Sequence, residues 1–249
     1  MPLSPDAINR FNRMNKHFYE VTAAHFDATR QQPWAGWGKL LPHIPAGRPL
    51  RVLDVGCGNG RFGLFLAVQL TGHIHYTGVD NNAALLGYAR DALATQENIT
   101  VTLRETDVIA TEGELAPARQ FDVVVAFGVI HHVPGDENRA RFVQQMAACV
   151  APGGVMAFAA WRFMDNERLR KRTVSMPDDM PHEPGDYLLD WKRGETALRY
   201  CHFVDDAEHT QLVAATGLDE IATYRADGHD GQTNKYSVLR YSESKPAKL

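Results

Sequence analysis

The stretch Val52-Leu53-Asp54-Val55-Gly56-Cys57-Gly58-Asn59-Gly60 places three glycines directly after a short apolar run. The apolar residues predict a buried strand, and residues 61–70 predict a helix. A glycine-rich turn between a strand and a helix lets backbone N–H groups and the helix N-terminus approach a ligand. Glycine suits this turn because a Cβ atom would block both the tight bend and the ligand.

A second signal lies twenty residues after Gly60, where the strand-like run 74–79 ends in Asp80. An acidic side chain at the tip of the second strand is well placed to accept hydrogen bonds from ribose hydroxyls. Together the two signals predict a nucleoside-bearing cofactor at the carboxyl ends of a parallel sheet.

The position of Asp54 indicates which cofactor binds. It lies two residues before the first glycine, where a carboxylate would repel a buried pyrophosphate and attract an ammonium group. S-adenosylmethionine carries both an α-ammonium group and a ribose. Residues 54–60 resemble motif I of the class I S-adenosylmethionine-dependent methyltransferases, and Gly78-Val79-Asp80 resembles their motif II. A dinucleotide-binding fold with an incidental aspartate is the alternative.

The resemblance implies the fold: α/β, Rossmann-like, with a seven-stranded, mostly parallel sheet, an antiparallel last strand and helices on both faces. Residues 121–128 form an apolar run suited to a central strand buried on both faces. Ala151-Pro152-Gly153-Gly154 resembles the turn before the family's fifth strand. The runs 221–225 and 235–241 resemble its last two strands.

The resemblance also implies cofactor contacts. Asp107, after a predicted strand at residues 99–104, matches the family's adenine-binding aspartate, and Val108 can donate a backbone N–H to the ring. Arg30 and Tyr19 would lie near the methionine carboxylate, which a guanidinium can hold with two hydrogen bonds. For Arg30, capping or bridging the N-terminal helix is the alternative. The candidate cofactor-binding residues are Tyr19, Arg30, Asp54, Gly56, Cys57, Gly58, Asn59, Gly60, Asp80, Asn81, Asp107, Val108, Phe127 and Gly128.

Length and composition fit one domain. The 249 residues carry a formal net charge of −4, which argues against binding nucleic acid by overall charge alone. Residues 1–249 are interpreted as a single methyltransferase domain with four parts. These parts are an N-terminal helical cap (1–48), a cofactor-binding core (51–160), a substrate-covering insertion (162–203), and a last helix with a strand hairpin (205–241).

The sequence shows no apolar signal segment and no run long enough to span a membrane. Its cysteines, Cys57, Cys149 and Cys201, form no C-x-x-C pair, so we expect reduced thiols in a cytoplasmic protein. No metal-ligand spacing stands out, and we expect no metal. The polar residues 242–249 are expected to fray.

A narrower resemblance concerns the substrate. It is to the tRNA wobble-uridine carboxymethyl methyltransferases, which methylate the carboxylate of 5-carboxymethyluridine at the first anticodon position. The similar segments are Tyr19-Glu20-Val21, Ala24-His25-Phe26, Thr29-Arg30, Pro33-Trp34, Val129-Ile130-His131-His132, Arg199-Tyr200-Cys201-His202-Phe203 and Asn234-Lys235-Tyr236. Members of this group often work with a small activating subunit, so the resemblance implies tRNA and such a subunit as partners.

The same resemblance implies roles around the acceptor. His131 and His132 would orient it, or one of them would act as its general base; packing of one imidazole in the turn is the alternative. The candidate substrate-binding residues are Trp161, Arg162, Arg199, Tyr200 and His202. A carboxylate acceptor is ionised at neutral pH and needs no base, so positive residues would hold it.

Basic residues are concentrated in one part of the insertion. They are Arg162, Arg168, Arg170, Lys171 and Arg172. Basic side chains near aromatic ones suit phosphate neutralisation with base stacking, whereas a solvated helix is the alternative. For the whole chain, the alternatives are a small-molecule O- or N-methyltransferase and a non-catalytic S-adenosylmethionine-binding protein.

Overall fold

A computed structural model describes residues 2–110, 115–116, 118–177, 179–193 and 195–241. The strands are β1 (Leu50–Val55), β2 (Ile74–Asp80), β3 (Ile99–Glu105), β4 (Phe121–Phe127), β5 (Val150–Trp161), β6 (Thr173–Val174), β7 (Asp186–Arg193), β8 (Glu195–His202), β9 (Asp219–Ala226) and β10 (Asn234–Arg240). The helices are α1 (Pro5–Thr29), α2 (Ala35–Leu40), α3 (Arg61–Gln69), α4 (Ala83–Leu93), α5 (Asp136–Cys149), α6 (Glu167–Arg170) and α7 (Asp206–Ala215). The terminal residues 242–249, predicted to fray, lie outside the described residues.

The main sheet has seven strands in the order β3-β2-β1-β4-β5-β10-β9. β10 is antiparallel to both of its neighbours, β5 and β9, and the other neighbouring pairs are parallel. This arrangement confirms the predicted mostly parallel sheet with an antiparallel last strand.

Alternate residues of the central strands enter two separate cores, one on each face of the sheet. On β5, Met156 and Phe158 pack with side chains of α5 and α7. Val155 and Ala157 pack with side chains of α2, α3 and α4. Because both faces are covered by helices, β4 is apolar at nearly every position, as the sequence predicted.

The N-terminal segment forms one continuous helix, α1, beginning at the N-cap Ser4, whose side chain accepts a hydrogen bond from the N–H of Ala7. The insertion at 162–203 has regular structure, because β6, β7 and β8 form a second, antiparallel sheet. α1 packs against this sheet: Phe11 stacks on Tyr200 with ring centroids 4.3 Å apart. The second sheet and α1 therefore form one packed unit.

None of the described helices combines the length and apolar character needed to cross a membrane.

Candidate functional site

A cavity of about 380 Å³ opens at the carboxyl ends of β1, β2 and β4, with α1 along its other side. The predicted site residues that line it are Tyr19, Arg30, Asp54, Gly56, Cys57, Gly58, Asn59, Asp80, Asn81, Val108, Phe127, Gly128, His131, His132, Trp161 and Arg199. Ligands bind at this edge of open α/β sheets because strand ends and helix N-termini converge there. The structure thus brings most of the predicted residues together in the lining of one cavity.

The turn after β1 needs glycine for both conformation and space. Gly56 has a φ of 72°, and a Cβ on it would lie 2.3 Å from Cγ2 of Val129. Its N–H donates to the carbonyl oxygen of Val79 at 2.8 Å, which ties the turn to the end of β2. The backbone therefore passes close to the cavity with no side chain in the way.

Asp80 presents its carboxylate to the cavity from the end of β2. Its Oδ2 accepts a hydrogen bond from the N–H of Gly58 at 2.8 Å, and its Oδ1 accepts one from the N–H of Asn82 at 2.9 Å. Burial raises the pKa of this carboxyl, while the backbone N–H groups oppose that shift. Asp80 lines the cavity and keeps acceptor capacity for a ligand hydroxyl.

Asp54 is a buried carboxylate in the same wall. Its Oδ2 accepts a hydrogen bond from the Tyr76 hydroxyl at 2.6 Å. Burial raises the pKa of Asp54 to about 7, the Tyr76 bond opposes this, and the nearby Asp80 charge adds to it. A cationic ligand group would stabilise the ionised form, as the sequence argument for an ammonium group requires.

His132 is held by three neighbours. Its Nδ1 lies 2.9 Å from the carbonyl oxygen of Tyr200, and its Nε2 lies 2.9 Å from the Tyr19 hydroxyl. Because a carbonyl only accepts, Nδ1 carries the proton and Nε2 accepts from Tyr19. Burial and the Arg199 charge lower the pKa of His132 to about 3, so the ring is neutral. Asn15 also donates to the His132 carbonyl at 3.4 Å.

His131 is buried beside it and also neutral. Burial lowers its pKa well below the usual value, and the neighbouring His132 imidazole and the Arg199 guanidinium disfavour a second charge there as well. Its Nδ1 has no hydrogen-bond partner among the described residues. Its ring centroid lies 5.4 Å from that of Trp161. One polar atom of His131 is therefore left for a ligand.

Arg199 brings a positive charge from β8 to the cavity. Its guanidinium carbon lies 4.8 Å from the Trp161 ring centroid and 5.1 Å from that of Phe18. Burial raises the pKa of Tyr19, and the charge of Arg199 acts against that shift. In the described part of the chain, no carboxylate forms a salt bridge with Arg199.

Five predicted residues lie outside the cavity wall: Gly60, Asp107, Arg162, Tyr200 and His202. Gly60 packs against α4, where a Cβ would lie 3.0 Å from that of Ala89. Arg162 donates to Asp165 at 2.9 Å and to the Val204 carbonyl at 2.7 Å. Gly60 and Arg162 therefore stabilise the fold through contacts within the protein.

Tyr200 and His202 belong to a buried charged cluster behind the second sheet. The Tyr200 hydroxyl donates to Asp186 at 2.6 Å. His202 contacts Asp186 through Nδ1 and Glu208 through Nε2, each at 2.7 Å. Since carboxylates accept only, both ring nitrogens donate and His202 is an imidazolium. Arg139 bonds Glu208 as well, so the cluster joins β8, α5 and α7.

Sequence reasoning missed several cavity residues. They are Asn12, Asn15, Phe26, Trp34, Trp37, Arg61, Asp227, Gly228, Thr233 and Asn234. The α1 members share a helical face with Tyr19, a spacing that could have found them. For Asp227 the sequence offers only the turn dipeptide Asp227-Gly228, and in the structure Asp227 has a φ of 67° after β9. Its carboxylate accepts from Gly36 N–H at 2.8 Å and from the Tyr236 hydroxyl at 2.5 Å.

The structure also gathers three side chains with metal-ligand chemistry. His131, His132 and Cys201 have ligand atoms within 4.8 Å of one another. The Nδ1 of His132 lies 3.8 Å from the Cys201 sulfur but carries a proton towards Tyr200. Burial raises the pKa of Cys201 to about 12, so its thiol is protonated. Neither group is in the state that binds a metal, and the absence of a metal stays a prediction.

Residues 53–156 match a family described as a methyltransferase domain. The chain is 28% identical over 178 residues to the Mus musculus protein named "Probable tRNA methyltransferase 9B", covering 70% of this chain and 36% of that protein. It spans about a third or less of the length of the mammalian relatives that it matches. With a Schizosaccharomyces pombe tRNA (carboxymethyluridine(34)-5-O)-methyltransferase it shares 25% identity over 222 residues, which are 80% of this chain and 86% of the relative.

Solved structures share the fold. The N-methyltransferase NodS of Bradyrhizobium japonicum WM9, in complex with S-adenosyl-L-homocysteine, matches with a TM-score of 0.60 and 18% identity, covering 92% of this chain and 98% of NodS. A methyltransferase chain from a complex with the Haloferax volcanii Trm112 methyltransferase activator matches with a TM-score of 0.64 and 12% identity, over 93% of this chain and 99% of that one. These matches confirm the predicted Rossmann-like fold and show a methyltransferase domain over residues 53–156.

Proposed function

We propose that this chain, whose residues 53–156 match a methyltransferase domain, transfers a methyl group from S-adenosylmethionine to an ionised carboxylate on a nucleotide. The acceptor that we propose is 5-carboxymethyluridine at the wobble position of tRNA. One observation carries the proposal: Arg199 presents a guanidinium to the cavity wall without a carboxylate partner in the described part of the chain.

An arginine beside neutral rings, with no salt bridge to a carboxylate among the described residues, favours an anionic acceptor. A partly buried positive charge is stabilised when a ligand supplies the opposite charge, and a guanidinium can bind a carboxylate with two hydrogen bonds. Trp161 and Phe18 flank the guanidinium, which limits the directions it can adopt. We therefore assign Arg199 the role of holding the acceptor carboxylate.

The two histidines argue against an amine or hydroxyl acceptor. Those acceptors need a base to take a proton, and a useful base has a pKa near the working pH. The pKa of His132 is lowered to about 3 and that of His131 is lowered well below its usual value, both mainly by burial. Such rings are weak bases. A carboxylate needs none, since it is already ionised at neutral pH.

The chain's own contribution is positioning. When bound, S-adenosylmethionine supplies a methyl group made electrophilic by the sulfonium. Asp80 and Asp54 would orient the cofactor, and Arg199 would align the acceptor carboxylate with it. The aromatic side chains of Tyr19 and Trp161, both in the cavity wall, would keep water away from the reacting atoms.

The names of the relatives support tRNA as the substrate, since several are tRNA (carboxymethyluridine(34)-5-O)-methyltransferases. Arg168, Arg170 and Lys171 are exposed around α6 and could contact phosphates. Lys171 pairs with Glu167 at 2.7 Å, an exposed pair that is worth little and can open. These residues are proposed as a tRNA contact.

We also propose a small activating subunit as a partner, because a structural neighbour of this chain is part of a complex with such an activator. The described cysteines are buried free thiols, which fit a reducing compartment such as the cytoplasm. A small-molecule acceptor and a non-catalytic role in binding S-adenosylmethionine remain the alternatives that the experiment must separate.

The test uses tRNA carrying 5-carboxymethyluridine at the wobble position and S-adenosylmethionine labelled in the methyl group. A methyl ester is cleaved by mild alkali, which releases the label as methanol, whereas N-methyl and ether groups survive. We expect alkali-labile label in this tRNA and none in the same tRNA with plain uridine. Alkali-stable label, or equal labelling of both tRNAs, would overturn the proposal.

A second part of the experiment covers the case in which the chain shows no methyl transfer to tRNA. If the chain binds S-adenosylhomocysteine by calorimetry but methylates neither the tRNA nor a metabolite extract, with or without an activator, the non-catalytic role is favoured. Label confined to the metabolite extract would favour a small-molecule acceptor.

A further inference from the structure

The side-chain oxygen of Asn12 is a buried acceptor with no hydrogen-bond partner among the described residues. Asn12 is 6% exposed and lines the cavity from α1. A buried polar atom without a partner costs free energy, so such an atom in a binding cavity indicates a group that the ligand supplies. The missing group is a hydrogen-bond donor.

We propose that Asn12 reads the 6-amino group of the cofactor's adenine, and that Asp107 acts only by orienting Asn12. The inference rests on the proposed function in one respect, namely that the cavity binds S-adenosylmethionine. It does not depend on the acceptor. No carboxylate needs to touch the adenine.

Asp107 fixes which end of the Asn12 amide faces the ligand. The Nδ2 of Asn12 lies 3.0 Å from Oδ2 of Asp107. A carboxylate can only accept, so the amino end of the amide must face Asp107 and the carbonyl oxygen must face away. The amide cannot be reversed without placing two oxygens against each other.

Asp107 itself has little capacity left for a ligand. Its Oδ1 accepts from the N–H groups of Ile109 and Ala110, each at 3.1 Å. Its Oδ2 accepts from Asn12 and lies 3.7 Å from the Lys16 ammonium. These contacts account for about four acceptor positions, the capacity of a carboxylate. Asp107 also lies outside the cavity wall, whereas Asn12 lies within it.

The position of Asn12 matches the adenine end of the cavity. Asp80 ends β2 and offers acceptor positions to ribose hydroxyls, which places the base beyond it, towards the end of β3. Val108 and Ile109 follow β3 and line the same part of the wall. Through its contact with Asp107, Asn12 lies beside this segment. Adenine presents one exocyclic amino group as a donor there.

The test compares two ligands by calorimetry. S-adenosylhomocysteine carries the 6-amino donor, and S-inosylhomocysteine carries an acceptor oxygen in its place. We expect the unaltered chain to bind S-adenosylhomocysteine at least about tenfold more tightly, and Asn12→Ala to reduce this ratio to within about threefold. The control is Asn9→Ala, on an exposed position of the same helix, which should keep the full ratio.

Two outcomes would overturn the inference. One is an unchanged ratio in Asn12→Ala together with a lost ratio in Asp107→Ala, which would make Asp107 the reader. The other uses the unaltered chain alone: an analogue whose purine lacks any 6-substituent would bind as tightly as S-adenosylhomocysteine. Both readouts are cofactor affinities, so they stand apart from any failure of tRNA methylation.

Discussion

The hydroxyl of Tyr19 lies 2.9 Å from Nε2 of His132, so a side chain of the N-terminal helix donates directly to the loop after β4. Because the other ring nitrogen donates to a carbonyl, this hydroxyl is the donor that satisfies His132. We expect Tyr19→Phe to lower the free energy of unfolding by about 1–2 kcal/mol, since it leaves a buried acceptor unpaired. Urea unfolding measures this, with Tyr88→Phe at a partly exposed position as the control. Equal effects of the two changes would contradict the assignment.

Arg199→Met should separate acceptor binding from cofactor binding. The methionine keeps much of the packing against Trp161 but removes the charge that holds the acceptor carboxylate. We expect kcat/KM for the modified tRNA to fall about ten- to a hundredfold, the range for a charge-assisted hydrogen bond, with an unchanged affinity for S-adenosylhomocysteine.

The matched control is Arg90→Met, the same replacement at an exposed position of α4. It should leave both quantities unchanged. A loss of cofactor affinity in Arg199→Met, with no further loss in kcat/KM, would assign Arg199 to the cofactor instead.

Cofactor affinity should depend on pH through Asp54, whose pKa is raised to about 7, chiefly by burial. The ammonium group of the cofactor favours the ionised carboxylate. Protonation of Asp54 below pH 7 therefore competes with binding, and affinity should fall up to about tenfold per pH unit as the pH decreases. Calorimetry between pH 5.5 and pH 7, chosen as roughly the window below this pKa, measures it.

Asp54→Asn provides the comparison. It should bind the cofactor more weakly at about pH 7.5 and show a shallower slope below pH 7, with any slope that remains due to Asp80, whose pKa burial also raises. An identical slope in this variant would show that Asp54 does not titrate with binding.

The charged cluster around His202 should make stability depend on pH in the opposite sense. Its bonds to Asp186 and Glu208 raise the pKa of His202 against the effect of burial. Since this folded-state pKa exceeds the unfolded value, the stabilisation is fully present below the unfolded pKa and is lost as pH rises through the folded one.

The slope of the unfolding free energy for one proton is at most about 1.4 kcal/mol per pH unit. Urea unfolding from about pH 6 to pH 9 tests it. His202→Gln, which keeps one donor and cannot ionise, should lose this slope. If the variant keeps the slope, another group is responsible.

The exposed basic residues of the insertion should contribute to tRNA affinity through phosphate charge. Replacing Arg168, Arg170 and Lys171 together by alanine should weaken tRNA binding and reduce the slope of log K against log salt by about two to three. Arg172 is left unchanged because its side chain donates to the Asp190 carbonyl at 2.6 Å. Filter binding over a salt series measures the effect, with Arg141→Ala on α5 as the control. An unchanged slope would remove α6 from the interface.

The sequence predicted those site residues whose position follows from a short stretch of neighbouring residues. Asp54 and Asp80 were found because each lies at the end of a strand whose residues reveal its burial. The misses come from long-range packing. Asn12 and Asp227 enter the cavity from α1 and from the loop after β9. Helical spacing places Asn12 on one face with Tyr19, but no local pattern specifies that α1 meets the loop after β9. Arg162 and His202 have side chains that suit substrate binding, but both form ion pairs outside the cavity. Their partners are Asp165 for Arg162, and Asp186 and Glu208 for His202.

The contact between Asp227 and the Gly36 backbone has a consequence for synthesis of the chain on the ribosome. It joins residues 191 positions apart, and the strand next to it, β10, inserts between β5 and β9. The first five strands can pair as they emerge, whereas this side of the cavity closes only after β10 has left the exit tunnel. We therefore expect cofactor binding to follow the synthesis of β10, so that a nascent chain arrested before β10 pairs its first five strands but does not bind the ligand.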